Sequence, residues 1–348
     1  MRSPRRGRQL RPPPPGPSRS PARSRNRCPA SGTRRLVDST SPPRNRRRNR
    51  PGPSRMARPL LFFILLWTLA LLLLGSIVHA VGASLACPDW PTCFGTMMPE
   101  MTDGVFWEHL HRLWAGALLV LFPVAVFLTR RAHPHRVALF RLGLAGIGLL
   151  LVQSVLGGLT VIYQLPDAIS TSHLALAFLF LALVTVMLVR TRPETGDYRD
   201  ADAERRLVRR AGLVAAGLVF VQSVVGALVR HTDAGMACPD VPLCLGRVIP
   251  PLEYPTVLLH FLHRVLGIVV AAVTLRYGWL VVARTRSTFA KKMATAMAAG
   301  VVAQVLLGFA SVAGRLAPPY VSGHTLLAAM LLALGVATAA HAWERASS

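Results

Sequence analysis

A chain of 348 residues that is 52% hydrophobic and only 16% charged does not have the composition of a soluble globular domain. Its formal charge of +25 would suit a nucleic-acid binder, but residues 1–58 alone hold 18 arginines, no lysine and one acid, Asp38. The charge belongs mainly to a tail, and no nucleic-acid partner is expected.

That tail, residues 1–58, includes runs such as RPPPPGPSRSP and has little apolar surface to bury, so it is expected to be disordered. It reads in three ways: a basic cytoplasmic anchor on anionic lipid, a targeting peptide, or an extension ahead of a start at Met56, which opens MARPLLFFILLWTLALLLLG. An Arg- and Ser-rich, acid-poor extension resembles an organellar transit peptide, but its prolines and lack of helical period argue against one.

Beyond the tail, apolar blocks of about 20 residues are long enough to cross a ~30 Å hydrocarbon core. They predict helices near 59–80, 104–129, 138–163, 169–190, 211–230, 256–283, 293–315 and 320–341. The loop at 130–136 carries Arg130, Arg131 and Arg136, the segment 190–210 carries seven arginines, and 284–292 carries Arg284, Arg286, Lys291 and Lys292. On the other side, 80–103 and 164–168 have no Lys or Arg, and 231–255 has only Arg247. Positive charge marks the cytoplasmic face, so both termini are expected there and the odd-to-even loops outside.

Two of those outer loops repeat a word: ACPDWPTC at Ala86–Cys93 and ACPDVPLC at Ala237–Cys244, 151 positions apart. At that offset Gly75 matches Gly226, Gln153 matches Gln304, Gly157 matches Gly308, and His173 matches His324. The expected fold class is therefore an all-α integral membrane protein whose eight transmembrane helices form two tandem four-helix bundles, 59–190 and 211–341. A cytoplasmic linker, 191–210, joins them, and 342–348 is a short tail. Each bundle has an even number of spans, so the halves repeat in parallel about an axis along the membrane normal. The recurring Gln-x-x-x-Gly pattern (Gln153/Gly157, Gln222/Gly226, Gln304/Gly308) reads first as helix packing, with a cofactor contact as the alternative.

Polar residues inside a span are costly and face the bundle interior. The second span opens WEHLHR and the sixth contains LHFLHR, so His111-Arg112 matches His263-Arg264 at an offset of 152, which implies one extra residue in the second loop. Glu108 stands three positions before His111, and His260 stands three before His263. Residues at i and i+3 share a helix face. His173 and His324 add one imidazole each from the fourth and eighth spans. All four lie near the outer start of an even-numbered span, two per bundle, an arrangement that suits a haem gripped on both iron faces. Zinc fits less well, because two imidazoles per half are too few for a closed tetrahedral site. His79, His109 and His231 have no histidine at their repeat positions and read as interfacial, while His133, His135 and His341 receive no role.

This ordered set resembles the haem A synthase family over about residues 59–341: eight spans, duplicated Cys loops, E-x-x-H-R in the second span, H-x-x-H-R in the sixth, and single histidines in the fourth and eighth. The resemblance implies an oxidoreductase acting on CH groups, which oxidises a ring methyl of haem O to a formyl group, through hydroxylation, for terminal oxidase biogenesis. It implies substrate haem O between His111 and His173, and a haem b cofactor between His263 and His324, these four being the axial ligands of the iron. It further implies Cys87–Cys93 and Cys238–Cys244 disulfides in an oxidising compartment, structural staples or, for the first pair, a redox couple. Only the first half has a carboxylate beside an iron ligand, and Glu108 is the candidate catalytic residue, with a structural pairing to Arg112 as its alternative. Expected partners are the lipid bilayer, haem O, a haem O synthase, terminal oxidase assembly factors and an electron acceptor that the sequence does not identify, with room for a homo-oligomer. The expected location is a bacterial inner membrane, with the mitochondrial inner membrane as alternative. Two other functions remain open to the sequence: a non-enzymatic dihaem b electron-transfer protein, and a haem transporter or chaperone.

Overall fold

The computed structural model describes residues 53–192 and 202–343. The readings made for residues 1–52, for 193–201 of the linker and for the terminal 344–348 lie outside the described residues. Eight long helices carry the described chain: α1 (Pro53–Ala80), α2 (Asp103–Ala132), α3 (Val137–Ile162), α4 (Asp167–Arg190), α5 (Asp202–His231), α6 (Pro255–Arg284), α7 (Thr288–Ala313) and α8 (Pro318–Trp343). Each is long and apolar enough to span a bilayer.

Hydropathy locates these spans but understates the length of most of them. The fifth helix begins at Asp202 rather than near 211, so much of the expected linker is helical. Asp202 and Glu204 stand in its first turn, where acidic groups complement the helix dipole. The Glu204 carboxylate also accepts hydrogen bonds from Thr285 Oγ1 and from the Arg286 amide, which ties this extra turn to the α6–α7 connection.

The helices are arranged as an inner four, α1, α4, α5 and α8, through which the two halves touch, with α2–α3 and α6–α7 outside them. One apolar core fills the first half, from Leu61 and Ile64 through Phe122 to Phe180 and Met187. A second runs across the seam and joins Leu72, Phe178 and Leu181 to Val219, Ala329 and Leu332. The outer helices expose large apolar side chains, among them Val120, Leu144, Val155, Ile268 and Leu306, as lipid-facing surfaces do.

The two halves are not packed alike on the inner side. A Cβ on Gly212 of α5 would stand 2.5 Å from the Ala339 backbone nitrogen, and one on Gly335 of α8 would stand 3.0 Å from the Ala216 nitrogen. Helices α5 and α8 therefore cross backbone to backbone, as small residues permit in lipid. The repeat counterparts, Leu61 and Val184, fill the same place in the first half with side chains.

Candidate functional site

The two cysteine loops are built alike. Cys93 and Thr96 exchange backbone hydrogen bonds of 3.0 and 3.2 Å, and Cys244 and Arg247 do the same at 3.0 and 3.1 Å. Between them Phe94-Gly95 and Leu245-Gly246 all have positive φ, the signature of a type I′ turn, which explains the glycine at its second corner. Disulfides close both loops, Cys87–Cys93 with Cα atoms 4.8 Å apart and Cys238–Cys244 with 4.6 Å. Asp89 anchors the first turn by accepting from the Phe94 and Gly95 amides at 2.6 and 2.9 Å and from the Thr92 hydroxyl. The Thr92 hydroxyl, followed by these amides, holds the Asp89 carboxyl below the usual carboxylate range.

An arginine from the following helix clamps each loop. Arg112 donates to the carbonyls of Asp89, Thr92 and Cys87 at 2.6, 2.5 and 3.2 Å. Arg264 donates to those of Asp240, Leu243 and Cys238 at 2.8, 2.7 and 2.6 Å. These are the same three positions shifted by 151, whereas Val105 and Val257, which pack on the two disulfides, differ by 152. The extra residue expected in the second loop therefore lies after the turn and before the helix.

Behind each loop the two sequences diverge. Glu108 is buried, accepts from the Cys87 amide at 2.9 Å, and pairs with Arg112 at 2.5 Å. Its counterpart His260 places Nδ1 2.9 Å from the Ala234 carbonyl and 3.4 Å from the Cys238 amide. The pairing of Glu108 with Arg112 is present as expected, and the carboxylate additionally secures the loop. His109 is not interfacial: it is 2% exposed, and neither ring nitrogen has a hydrogen-bond partner. One of its nitrogens lies within 4.8 Å of both sulfurs of the Cys87–Cys93 disulfide. The loop folds over the residue and covers it, which a reading of α2 alone misses. The second half has Phe261 there.

Each of the four matched histidines lies against a glycine on the neighbouring helix. A Cβ on Gly75 would stand 2.9 Å from His111 Cε1, and one on Gly157 3.1 Å from His173 Cε1. In the second half the distances are 2.9 Å from Gly226 to His263 and 3.1 Å from Gly308 to His324. The glutamines of the Gln-x-x-x-Gly pattern complete these seats. Gln153 donates to the His173 carbonyl at 2.8 Å and Gln304 to the His324 carbonyl at 3.0 Å. Gln222 donates to the His263 carbonyl at 2.8 Å and lies 3.0 Å from His263 Nδ1. The pattern therefore packs neighbouring helices, as expected, and does so at the residues that carry the imidazoles.

His263 and His324 face each other across a cavity of about 490 Å³, lined also by Gln222, Gln304, Gly226 and Gly308. Their ring centroids are 6.5 Å apart. Two imidazoles on opposite sides of one metal ion, with each nitrogen ~2 Å from it, place their centroids roughly 6 Å apart. The cavity volume falls within the range of cofactor sites. The Nδ1 atoms of His111, His173 and His324 are buried without a hydrogen-bond partner. These residues fit an iron porphyrin held through two imidazoles.

Above the seats the loops close differently. A Cβ on Gly158 would stand 2.7 Å from Trp90, so the first loop lays its indole on α3. At the repeat positions the sizes exchange, Val241 in the loop and Phe309 on α7. The seam beside the cavity is polar. The rings of His79 and His231 meet at 5.3 Å, Thr171 Oγ1 lies 3.1 Å from His231 Nδ1, and Arg230 reaches across from α5 to Ser76 of α1.

Residues 58–336 match the family described as cytochrome oxidase assembly protein, COX15-CtaA. The chain belongs to this family. Among its relatives, a heme A synthase of Symbiobacterium thermophilum is 34% identical over 197 residues, 55% of this chain and 64% of that protein. A heme A synthase of Shewanella oneidensis is 25% identical over 331 residues, 83% of this chain and 97% of its own. One of Alkalihalophilus pseudofirmus is 26% identical over 201 residues, 57% of this chain and 67% of its own. The chain thus spans about two thirds of the first and third proteins and nearly all of the second. The resemblance drawn from the motifs and the family match agree.

Proposed function

We propose that the protein is a haem A synthase, an oxidoreductase that converts a ring methyl of haem O to a formyl group, through hydroxylation, for terminal oxidase assembly in a bacterial inner membrane. The observation that carries this reading is the set of four glycine-seated histidines, two per half, in a chain whose relatives are named heme A synthase. In this reading 59–190 and 211–341 are two bundles with both termini on the cytoplasmic side. His111 and His173 hold haem O in the first, and His263 and His324 hold haem b in the second. Bound there, haem b supplies a reversible one-electron iron couple.

The chain itself supplies orientation and charge. The glycine seats bring each ring edge close to the neighbouring helix, and Gln153, Gln222 and Gln304 fix the backbone that carries three of the four rings. Glu108, one turn before His111, is the proposed acid–base group. Its oxygens accept from Arg112 and from the Cys87 amide, and a carboxylate oxygen has a second lone-pair site left for a proton. In the second half His260 bonds only loop backbone, in keeping with a site that carries electrons and not chemistry.

Two experiments test this. The purified protein should show a Soret band with bis-imidazole features, and His263→Ala combined with His324→Ala should remove the haem b spectrum; its survival would overturn the ligation. Glu108→Gln keeps an acceptor for the Cys87 amide but removes the charge. Haem A formation should fall while bound haem O persists, and unchanged haem A formation would remove Glu108 from the reaction.

A further inference from the structure

Arg230 stands in the last turn of α5 and lines the cavity between His263 and His324. Its two guanidinium NH2 groups donate to Ser76 Oγ at 2.8 Å and to the Ser76 carbonyl at 2.7 Å, both neutral acceptors. Among the described residues it pairs with no carboxylate; the ion pair there is Arg112 with Glu108. A guanidinium inside an apolar bundle is costly unless an anion meets it. It offers five N–H donors, and two bonds to serine leave capacity for a ligand. Arg264, the other guanidinium on this lining, is already engaged by three loop carbonyls.

The first half has no such cation. The repeat counterpart of Arg230 is His79, and residues 59–111 and 142–189 contain no Lys or Arg. Arg112, the remaining cation near that outer end, is held by Glu108 and the loop. A fixed, unpaired positive charge thus marks only one of two otherwise repeated histidine sites.

An iron porphyrin is a flat apolar ring with carboxylates on one edge, so a site of this kind needs two imidazoles, apolar walls and one cation. We propose that Arg230 anchors a carboxylate of the porphyrin held between His263 and His324, and that this anchor distinguishes the retained cofactor from a substrate that must leave. The inference rests on the reading that the second bundle binds haem. A charge-assisted hydrogen bond to a carboxylate in an apolar-walled cavity is worth enough to set an affinity preference on the order of ten- to a hundred-fold.

The test uses the full chain, purified in detergent after expression without haem supply. It is titrated with protohaem and, separately, with protohaem dimethyl ester, in which the carboxylates are blocked. Wild type should bind the diacid at least about ten-fold tighter than the ester. Arg230→Gln should bind both with the ester's affinity, and Arg230→Lys should recover part of the preference. Equal affinities in wild type, or a full preference retained in Arg230→Gln, would overturn the anchor; the wild-type comparison stands even if a variant does not fold. A histidine-ligated spectrum without diacid preference removes Arg230 alone, whereas no ligated spectrum with either porphyrin removes the haem reading beneath it.

Discussion

Replacing Gly226 with alanine should loosen the haem proposed to bind His263 without unfolding α5. The added methyl carbon would stand 2.9 Å from His263 Cε1, where ordinary contacts begin at 3.4 Å. The imidazole must therefore retreat by about half an ångström, more than the ~0.2 Å that metal–ligand distances tolerate. Overpacking of this size costs about 1–3 kcal/mol, which corresponds to a roughly 5- to 150-fold loss of haem affinity. Gly217, on the same helix, supplies the control, because a Cβ there meets nothing within 4 Å. Gly217→Ala should be neutral or should stabilise the helix by up to ~1 kcal/mol. The assay is the haem-to-protein ratio of both variants after identical purification, with the reduction potential of the bound haem as a second readout. If Gly226→Ala and Gly217→Ala retain haem equally, the glycine seat does not hold His263 in place.

The same packing and charges support three further expectations. His109→Phe, which copies Phe261 of the second half, removes a buried imidazole with two unpartnered nitrogens and should raise the thermal midpoint, by about 1–3 kcal/mol of relieved desolvation; a lowered midpoint would mean that the ring has a partner worth keeping. Gly212→Ala forces a methyl into the Ala339 backbone at 2.5 Å, which no side-chain rotation can relieve, so it should cost more than Gly226→Ala in thermal stability. Asp89, whose carboxyl is held below the usual range by the Thr92 hydroxyl and the Gly95 and Phe94 amides, contributes loop stability that is full above ~pH 4 and lost as pH falls through its lowered value. Wild type should therefore be more stable than Asp89→Asn at neutral pH, and the thermal midpoints should converge under acid; a difference that grows on acidification would contradict the Asp89 network.

Eight spans were legible because bilayer crossing demands long apolar blocks, and Leu- and Val-rich helices supply them. The start of α5 was not, because hydropathy reports affinity for lipid, and residues near Asp202 are helical yet charged. The four histidines were legible through the repeat, which singles out His111, His173, His263 and His324 from eleven in the chain. The same repeat showed Gly75/Gly226 and Gly157/Gly308, but not what each faces, because a seat is made by two helices and a sequence displays one at a time. The exchange of Trp90 and Gly158 for Val241 and Phe309 was readable at the 151-residue offset, as a large-for-small swap in each pair. Arg230 escaped notice, and His79 and His231 were read only as interfacial, for the opposite reason: they break the repeat, and a reading guided by symmetry passes over the seam where the halves differ.

The measurement closest to the central claim is chromatography of haems extracted from cells that co-express this chain with a haem O synthase. Haem A should accumulate, His111→Ala should abolish it, and the purified His111→Ala protein should still carry haem b. Haem O alone in cells expressing the wild-type chain, with both histidine pairs loaded, would contradict the central claim and leave a membrane protein that binds two haems without altering either.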